Sequence, residues 1–287
     1  MTRSLTVLAT GPLTTLQDTG RPGQAALGIG PSGACDRASY RLANRLVGNS
    51  PGAAVLEVTF GGLRVRAEQD VVVVTTGARC EGARMHNAPT TLRSGQELRL
   101  GTPVGGLRTY LAVRGGFAVE PVLGSRSTDV LSGLGPRPVS AGDELAVGDP
   151  DLPQPAIDLA PLPDPEPGDV TVRITPGPRR DWFTDAAWAT LVGQPYTATN
   201  DSNRVGVRLE GTPLERARSD ELPSEGMVRG ALQVPPSGKP VLFLADHPAT
   251  GGYPVIGYVV DKDVDRCAQL RPGQVLHLRP AAGGRSR

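Results

Sequence analysis

Glycine and proline punctuate this chain more densely than any other signal in it, with 37 glycines and 28 prolines in 287 residues. Proline lacks the amide donor that helix interiors and central strands require, and glycine weakens both. A chain so interrupted is restricted to short elements joined by many turns. The expectation is therefore a mainly β protein with few helices. Hydrophobic residues make up 38% of the sequence, enough for a core, and the length suits one large or two ordinary domains.

Local patterning agrees. "GLRVRA" (62–67) alternates, and "VVVVTTGA" (71–78) is a β-branched run suited to a fully buried strand. "RTYLAVRGG" (108–116), "VTVRITPG" (170–177), "VGVRLEG" (205–211), "ALQVPP" (231–236), "PVLFLADH" (240–247) and "PVIGYVV" (254–260) also read as strands. Three helices are predicted: 36–49 with Asp36 as N-cap and Gly48 as the stop, 184–193 capped by Thr184, and a short one within 263–273. A short pattern recurs: "RSGQELRL" (93–100), "SAGDELAV" (140–147) and "RPGQVLHL" (271–278) each place a turn glycine and a polar residue before alternating apolar positions. Two copies close the first half and one closes the second. A Pro- and Asp-rich stretch divides the chain into residues 1–148, a linker at 149–169 and residues 170–287. The alternative is a long surface loop inside one domain.

Several functions are disfavoured. With 30 basic and 29 acidic residues the formal charge is +1, so no global field draws the chain to nucleic acid or a membrane. No apolar run approaches a membrane span, and the first twenty residues lack the apolar core of a signal peptide. Cys35, Cys80 and Cys267 are odd in number and form no C-x-x-C pair, which points to reducing cytoplasm and to neither disulfides nor zinc. The sequence holds no P-loop and no G-x-S-x-G elbow. His86, His247 and His277 are far apart, so no metal site is expected, and neither Lys239 nor Lys262 has the methionine neighbour of a biotin attachment sequence.

Four segments carry more polar chemistry than a fold demands. In "LTTLQDTGRPG", Gln17, Asp18 and Arg21 bracket a turn, with an Asx-turn as the structural alternative. In "GIGPSGACDRASYRLAN", Asp36 stands where a helix start offers anion-binding amides, and as N-cap it would fill that place itself. In "YTATNDSNRVGVRLEG", Ser202 and Asn203 precede Arg204, whose guanidinium is able to clamp a carboxylate or phosphate through two bonds. The fourth is "SEGMVRGALQVPPSGKPVLFLADHPATGGYP", with Ser224, Glu225, Gln233, Asp246, His247 and Thr250 at successive strand ends. Gly251 and Gly252, before Tyr253, permit close backbone approach to a ligand, and amides there suit a developing oxyanion. These strand ends are expected to gather around one hollow.

Together and in this order, "TTLQDTGRPG", "GPSGACDRASYRLANRLVGN", "LEVTFGG", "YLAVRGGF", "VLGSRST", the 224–254 segment and "LRPGQVLHL" resemble one family. It is known as the C subunit of bacterial 5-oxoprolinase, allophanate hydrolase subunit 2, or the biotin-dependent carboxyltransferase family related to a kinase-inhibitor antagonist. The resemblance implies two cyclophilin-like β-barrel subdomains. It also implies a B-type partner subunit and usually an A-type one, which together cleave 5-oxo-L-proline to glutamate with ATP. Relatives pass carboxylate from biotin to urea. Two positions depart from the family pattern: Pro248 and Ala249 stand in "ADxQTTGGYP", and Asn203 replaces the aspartate of "SDR".

The preferred expectation is a hydrolase subunit, inactive alone, acting on a small amide or lactam. Arg204 would bind a substrate carboxylate or phosphorylated intermediate, Gln233 would address the amide, and Asp246 and His247 would orient groups or relay a proton. ATP is consumed by the complex, and no cofactor is bound covalently. One alternative is a non-catalytic antagonist of a kinase-inhibitor-like partner. Another is a carboxyltransferase component served by biotin on a separate carrier.

Overall fold

The three copies of the turn-and-strand sequence fold alike. In each the glycine takes a left-handed backbone, with Gly95 at φ 80°, Gly142 at φ 92° and Gly273 at φ 84°, a region costly for any residue with a side chain. The polar residue after it reaches back over the turn. Gln96 Oε1, Asp143 Oδ2 and Gln274 Oε1 accept the amides of Arg93, Ser140 and Arg271 at 2.9, 2.9 and 3.1 Å. Each turn delivers a strand: Glu97–Arg99, Glu144–Ala146 and Val275–Pro280.

A computed structural model describes residues 3–83, 86–218 and 220–281. The chain forms two compact units. One is built from residues up to Arg21, Ser32–Asp129 and Gly133–Pro167. The other takes Pro22–Pro31, Val130–Ser132 and the chain from Gly168 on. Two short pieces of the first half thus belong to the second unit, a division that a linear reading of composition does not reach.

In the first unit the strands are β1 (Ser4–Thr10), β2 (Leu13–Gln17), β3 (Val55–Thr59), β4 (Leu63–Ala67), β5 (Val71–Gly77), β6 (Thr90–Leu92), β7 (Glu97–Arg99), β8 (Arg108–Val113) and β9 (Glu144–Ala146), with helix α1 (Arg37–Leu46). They pair as β7-β4-β1-β9 and β2-β3-β8-β5-β6. Leu5, Val7, Val65, Leu56, Leu111 and Val113 share one core. Tyr110 and Ala112 of β8 instead join Tyr40, Ala43 and Leu46 of α1. Because side chains alternate along a strand, β8 is covered on both faces and all six of its residues are buried.

The second unit holds β10 (Val170–Pro176), α2 (Asp185–Gly193), β11 (Pro195–Ala198), β12 (Gly206–Glu210), β13 (Glu225–Gly226), β14 (Ala231–Gln233), β15 (Val241–Phe243), β16 (Thr250–Gly251), β17 (Val255–Val259), α3 (Asp261–Cys267) and β18 (Val275–Pro280). Seven strands close a barrel in the order β10-β17-β14-β15-β12-β11-β18, and a parallel β10–β18 pairing completes the ring. Val170, Val172 and Ile174 of β10 and Leu276 and Leu278 of β18 are buried, with more exposed residues between them. The protein is mainly β and has three α-helices among the described residues. Asp36 Oδ1 accepts the Ser39 amide at 3.0 Å, and Thr184 Oγ1 accepts the Ala187 amide at 3.1 Å, so both predicted N-caps form.

The Pro-rich stretch runs along the first unit as far as Pro167. Its hydrogen bonds there include Arg114 Nη2 to the Leu152 carbonyl (2.8 Å) and the Ala160 amide to the Asn87 carbonyl (2.9 Å). Arg79 Nε meets Asp164 Oδ2 at 2.8 Å.

Candidate functional site

Two of the sequence clusters are buried polar joints of the first unit. Asp18 Oδ1 accepts from the Gly20 amide (2.7 Å) and from the hydroxyls of Ser125 and Ser127 (both 2.6 Å), and Oδ2 accepts the Arg126 amide (2.6 Å). A loop more than 100 residues away in sequence therefore fills this carboxylate. Arg21, 1% exposed, donates from Nη2 to the Ser127 carbonyl at 2.5 Å. Gln17 Nε2 donates to Thr15 Oγ1 and to the Thr128 carbonyl. Asp36 spends its carboxylate on the cap and on the Ser39 hydroxyl (2.6 Å), so the helix start holds its own anion.

The remaining candidates lie in the second unit. The two-stranded ribbon β13–β16 pairs Glu225 with Gly251 and Gly226 with Thr250. The Met227 amide donates to the Ala249 carbonyl at 2.9 Å and extends it. Arg179 donates from Nε to Glu225 Oε1 at 2.8 Å, and from Nη2 to the same oxygen. This hydrogen bonding holds the Glu225 carboxyl below its ordinary range. Gln233 Nε2 donates to the Tyr253 carbonyl at 3.2 Å. A Cβ on Gly251 would sit 2.5 Å from that same nitrogen, so the glycine makes room for the buried amide.

Beside the ribbon lies a pocket of about 580 Å³, lined by Trp182, Arg216, Leu222, Ser224, Gly252 and Tyr253 together with two acidic residues. Its size suits a small molecule. Ser224, Gly252 and Tyr253 were expected in a hollow, and they meet in this one. Gln233 adjoins through the Tyr253 carbonyl, whereas Asp246, His247 and Arg204 are not part of the lining.

Arg204 and Asp246 form a buried pair instead. Arg204 Nε meets Asp246 Oδ2 and Nη2 meets Oδ1, both at 2.9 Å, and the side chains are 1% and 0% exposed. Asp246 Oδ2 also accepts the Val130 amide at 3.0 Å. This edge of the Arg204 fork is engaged within the protein. His247, also buried, has Nδ1 2.8 Å from the Pro248 carbonyl. A carbonyl only accepts, so Nδ1 carries a proton there. Ser202 Oγ accepts the Arg208 amide, and Asn203 Oδ1 accepts the Val205 amide at 2.8 Å. An aspartate oxygen would accept that bond equally well, so the Asn203 departure preserves the turn. At 248 and 249 the bonds described use carbonyl oxygens, which Pro and Ala supply as any residue does.

The carboxyltransferase-domain model, subdomains A and B, matches residues 27–280. The chain belongs to this family. The 5-oxoprolinase C subunit of Escherichia coli K12 is 38% identical over 282 residues, 96% of this chain and 90% of that protein. A urea amidolyase of Saccharomyces cerevisiae is 30% identical over 96% of this chain, which spans 16% of that longer protein. The crystal structure of the K. lactis urea amidolyase superposes with a TM-score of 0.89 at 30% identity, covering 97% of this chain and 19% of that one. These relatives place the family in multi-subunit or multidomain systems.

Sequence reasoning missed Trp182, Arg216 and Leu222. Trp182 and Arg216 come together because the 215–217 segment bridges to 182–184: Phe183 pairs with Arg216, and the Ala217 amide donates to the Trp182 carbonyl at 2.9 Å. One of only two tryptophans in the chain was the available signal, but nothing local links it to a segment more than thirty residues on. Among the described residues no group of three or more His, Cys, Asp or Glu is placed to hold a metal ion, and no helix is long and apolar enough to cross a membrane.

Proposed function

We propose that this chain is a component of an ATP-dependent 5-oxoprolinase, acting in the cytoplasm with a B-type partner subunit and an A-type one. The observation that carries this reading is its 38% identity to a 5-oxoprolinase C subunit over nearly the full length of both chains. In the reaction the lactam C–N bond of 5-oxo-L-proline breaks, the carbonyl carbon gains an oxygen from water, and the nitrogen becomes the amine of L-glutamate. ATP is consumed by the complex, and no residue of this chain is assigned to it.

The share assigned to this chain is positioning and electrostatic stabilisation. Ser224, Gly252 and Tyr253 contact the substrate, and Gln233 fixes the Tyr253 backbone. Arg204 and Asp246 act as positioning residues that hold the end of β15, and His247 is the neighbouring group able to carry a proton. Thr250, Gly251 and Glu225 shape the ribbon. The test is reconstitution. The purified chain with its B-type and A-type partners releases glutamate from 5-oxoproline only when ATP and all subunits are present. A complete set that releases none would remove the reading.

The family's designation and the urea amidolyase structure favour a second reading, transfer of a carboxyl group from biotin on a separate carrier. Avidin separates the two, because it blocks carboxyl transfer and leaves 5-oxoproline cleavage untouched.

A further inference from the structure

We propose that the pocket beside the ribbon recognises a small carboxylate through Arg216, with the rest of the ligand against the rings of Trp182 and Tyr253. The inference deepens the 5-oxoprolinase reading by assigning Arg216, and it rests on that reading only for the identity of the natural acid.

The cation is held in place but not neutralised. Arg216 Nη2 donates to the Val234 carbonyl at 2.6 Å, and the guanidinium carbon lies 5.9 Å from the centre of the Tyr253 ring. Its Nε is buried and has no hydrogen-bond partner. Among the described residues Arg216 has no carboxylate partner, in contrast to its neighbour Arg218. Arg218 packs 4.9 Å from the Trp182 ring and pairs with Asp220 at 2.8 Å. Arg216 faces a pocket whose two acids are both exposed, Asp220 paired with Arg218 and Glu221 opposite it. An exposed acid is screened by water, whereas a half-buried guanidinium against an aromatic ring retains more of its field. A guanidinium is also the cation whose fork matches a carboxylate. Trp182, 5% exposed, and Tyr253, 45% exposed, give a ring-shaped ligand apolar surface, and Ser224 adds a hydroxyl.

The two charges make the proposal directional. Binding of 5-oxo-L-proline, its neutral amide and cyclopentanecarboxylate to the full-length chain is measured by calorimetry or ligand-observed NMR. The acids are expected to bind at least about tenfold more tightly than the neutral amide, the scale of one charge-assisted bond. Arg216→Gln is expected to erase that preference, Arg216→Lys to restore part of it, and Glu221→Gln to strengthen acid binding. Melting curves confirm that each variant is folded, and the comparison of acid with amide on the unaltered chain needs no variant at all. Equal affinity for acid and amide, no acid binding up to about 10 mM, or weaker acid binding in Glu221→Gln would each overturn the proposal. In the reconstituted complex Arg216→Gln is expected to raise KM for 5-oxoproline more than it lowers kcat. Turnover with KM unchanged sinks this inference and leaves the 5-oxoprolinase reading standing. Acid binding through Arg216 without turnover by the complete complex does the reverse.

Discussion

Arg204 and Asp246, 42 residues apart, face each other through two parallel hydrogen bonds of 2.9 Å in a site that excludes solvent. Removing one member leaves the other buried charge without its counter-charge, which typically costs about 3–5 kcal/mol, whereas replacing both with apolar groups costs far less. Asp246→Ala and Arg204→Met are each expected to lower the unfolding free energy by about that amount in urea titrations, and Arg204→Met with Asp246→Leu to recover most of it. Single variants within about 1 kcal/mol of the unaltered chain would mean that the pair is not buried in solution. For the same reason, loss of activity in Asp246→Ala alone says little about catalysis.

The three matching turns make a comparative prediction. A Cβ added at Gly95, Gly142 or Gly273 meets nothing within 4 Å, so the cost of alanine there is conformational alone. Each Gly→Ala change is expected to destabilise by about 1–2 kcal/mol, and the three losses should agree closely. Thermal or chemical denaturation of the three variants checks this. A much larger loss at one turn would show that its glycine is held by packing.

His86 gives the first unit a pH dependence. Its ring lies 3.5 Å from Thr75 Oγ1 through Nδ1 and 3.5 Å from Asp164 Oδ1 through Nε2. Burial holds the imidazole below its ordinary value, and Asp164 offsets only part of that shift. The unfolded chain, titrating near pH ~6.5, takes up a proton that the folded chain refuses. This contribution to stability is complete above that pH and is lost as pH falls toward the folded value. The melting temperature is expected to drop between about pH 7 and pH 5, and His86→Gln to flatten the drop. An unchanged slope in the variant would assign the effect to other groups.

Much of the local structure was legible. The β-branched run at 71–78 became β5, Asp36 and Thr184 became caps, and the recurrent turn glycines took the backbone that only glycine adopts cheaply. Ser224, Glu225, Gln233, Asp246, His247 and Thr250 group in the sequence as strand ends; of these, Glu225 and the segment at Thr250 meet in the β13–β16 ribbon, although two strands separate them in the chain, while Asp246 turns to Arg204. Arg204 was legible as important, but a sequence does not show which way a guanidinium points. Its partner proved to be Asp246.

The sequence by itself determined the class of fold and the places of its turns, because backbone conformation is set by neighbours a few residues apart. Tertiary structure decided which charges are already spent and which are left for a ligand. Asp18 is saturated by residues 125–127, Arg204 by Asp246 and Arg218 by Asp220, while Arg216 has no carboxylate partner among the described residues. Most of these pairings join groups distant in the chain, and electrostatic attraction acts through space rather than along the backbone.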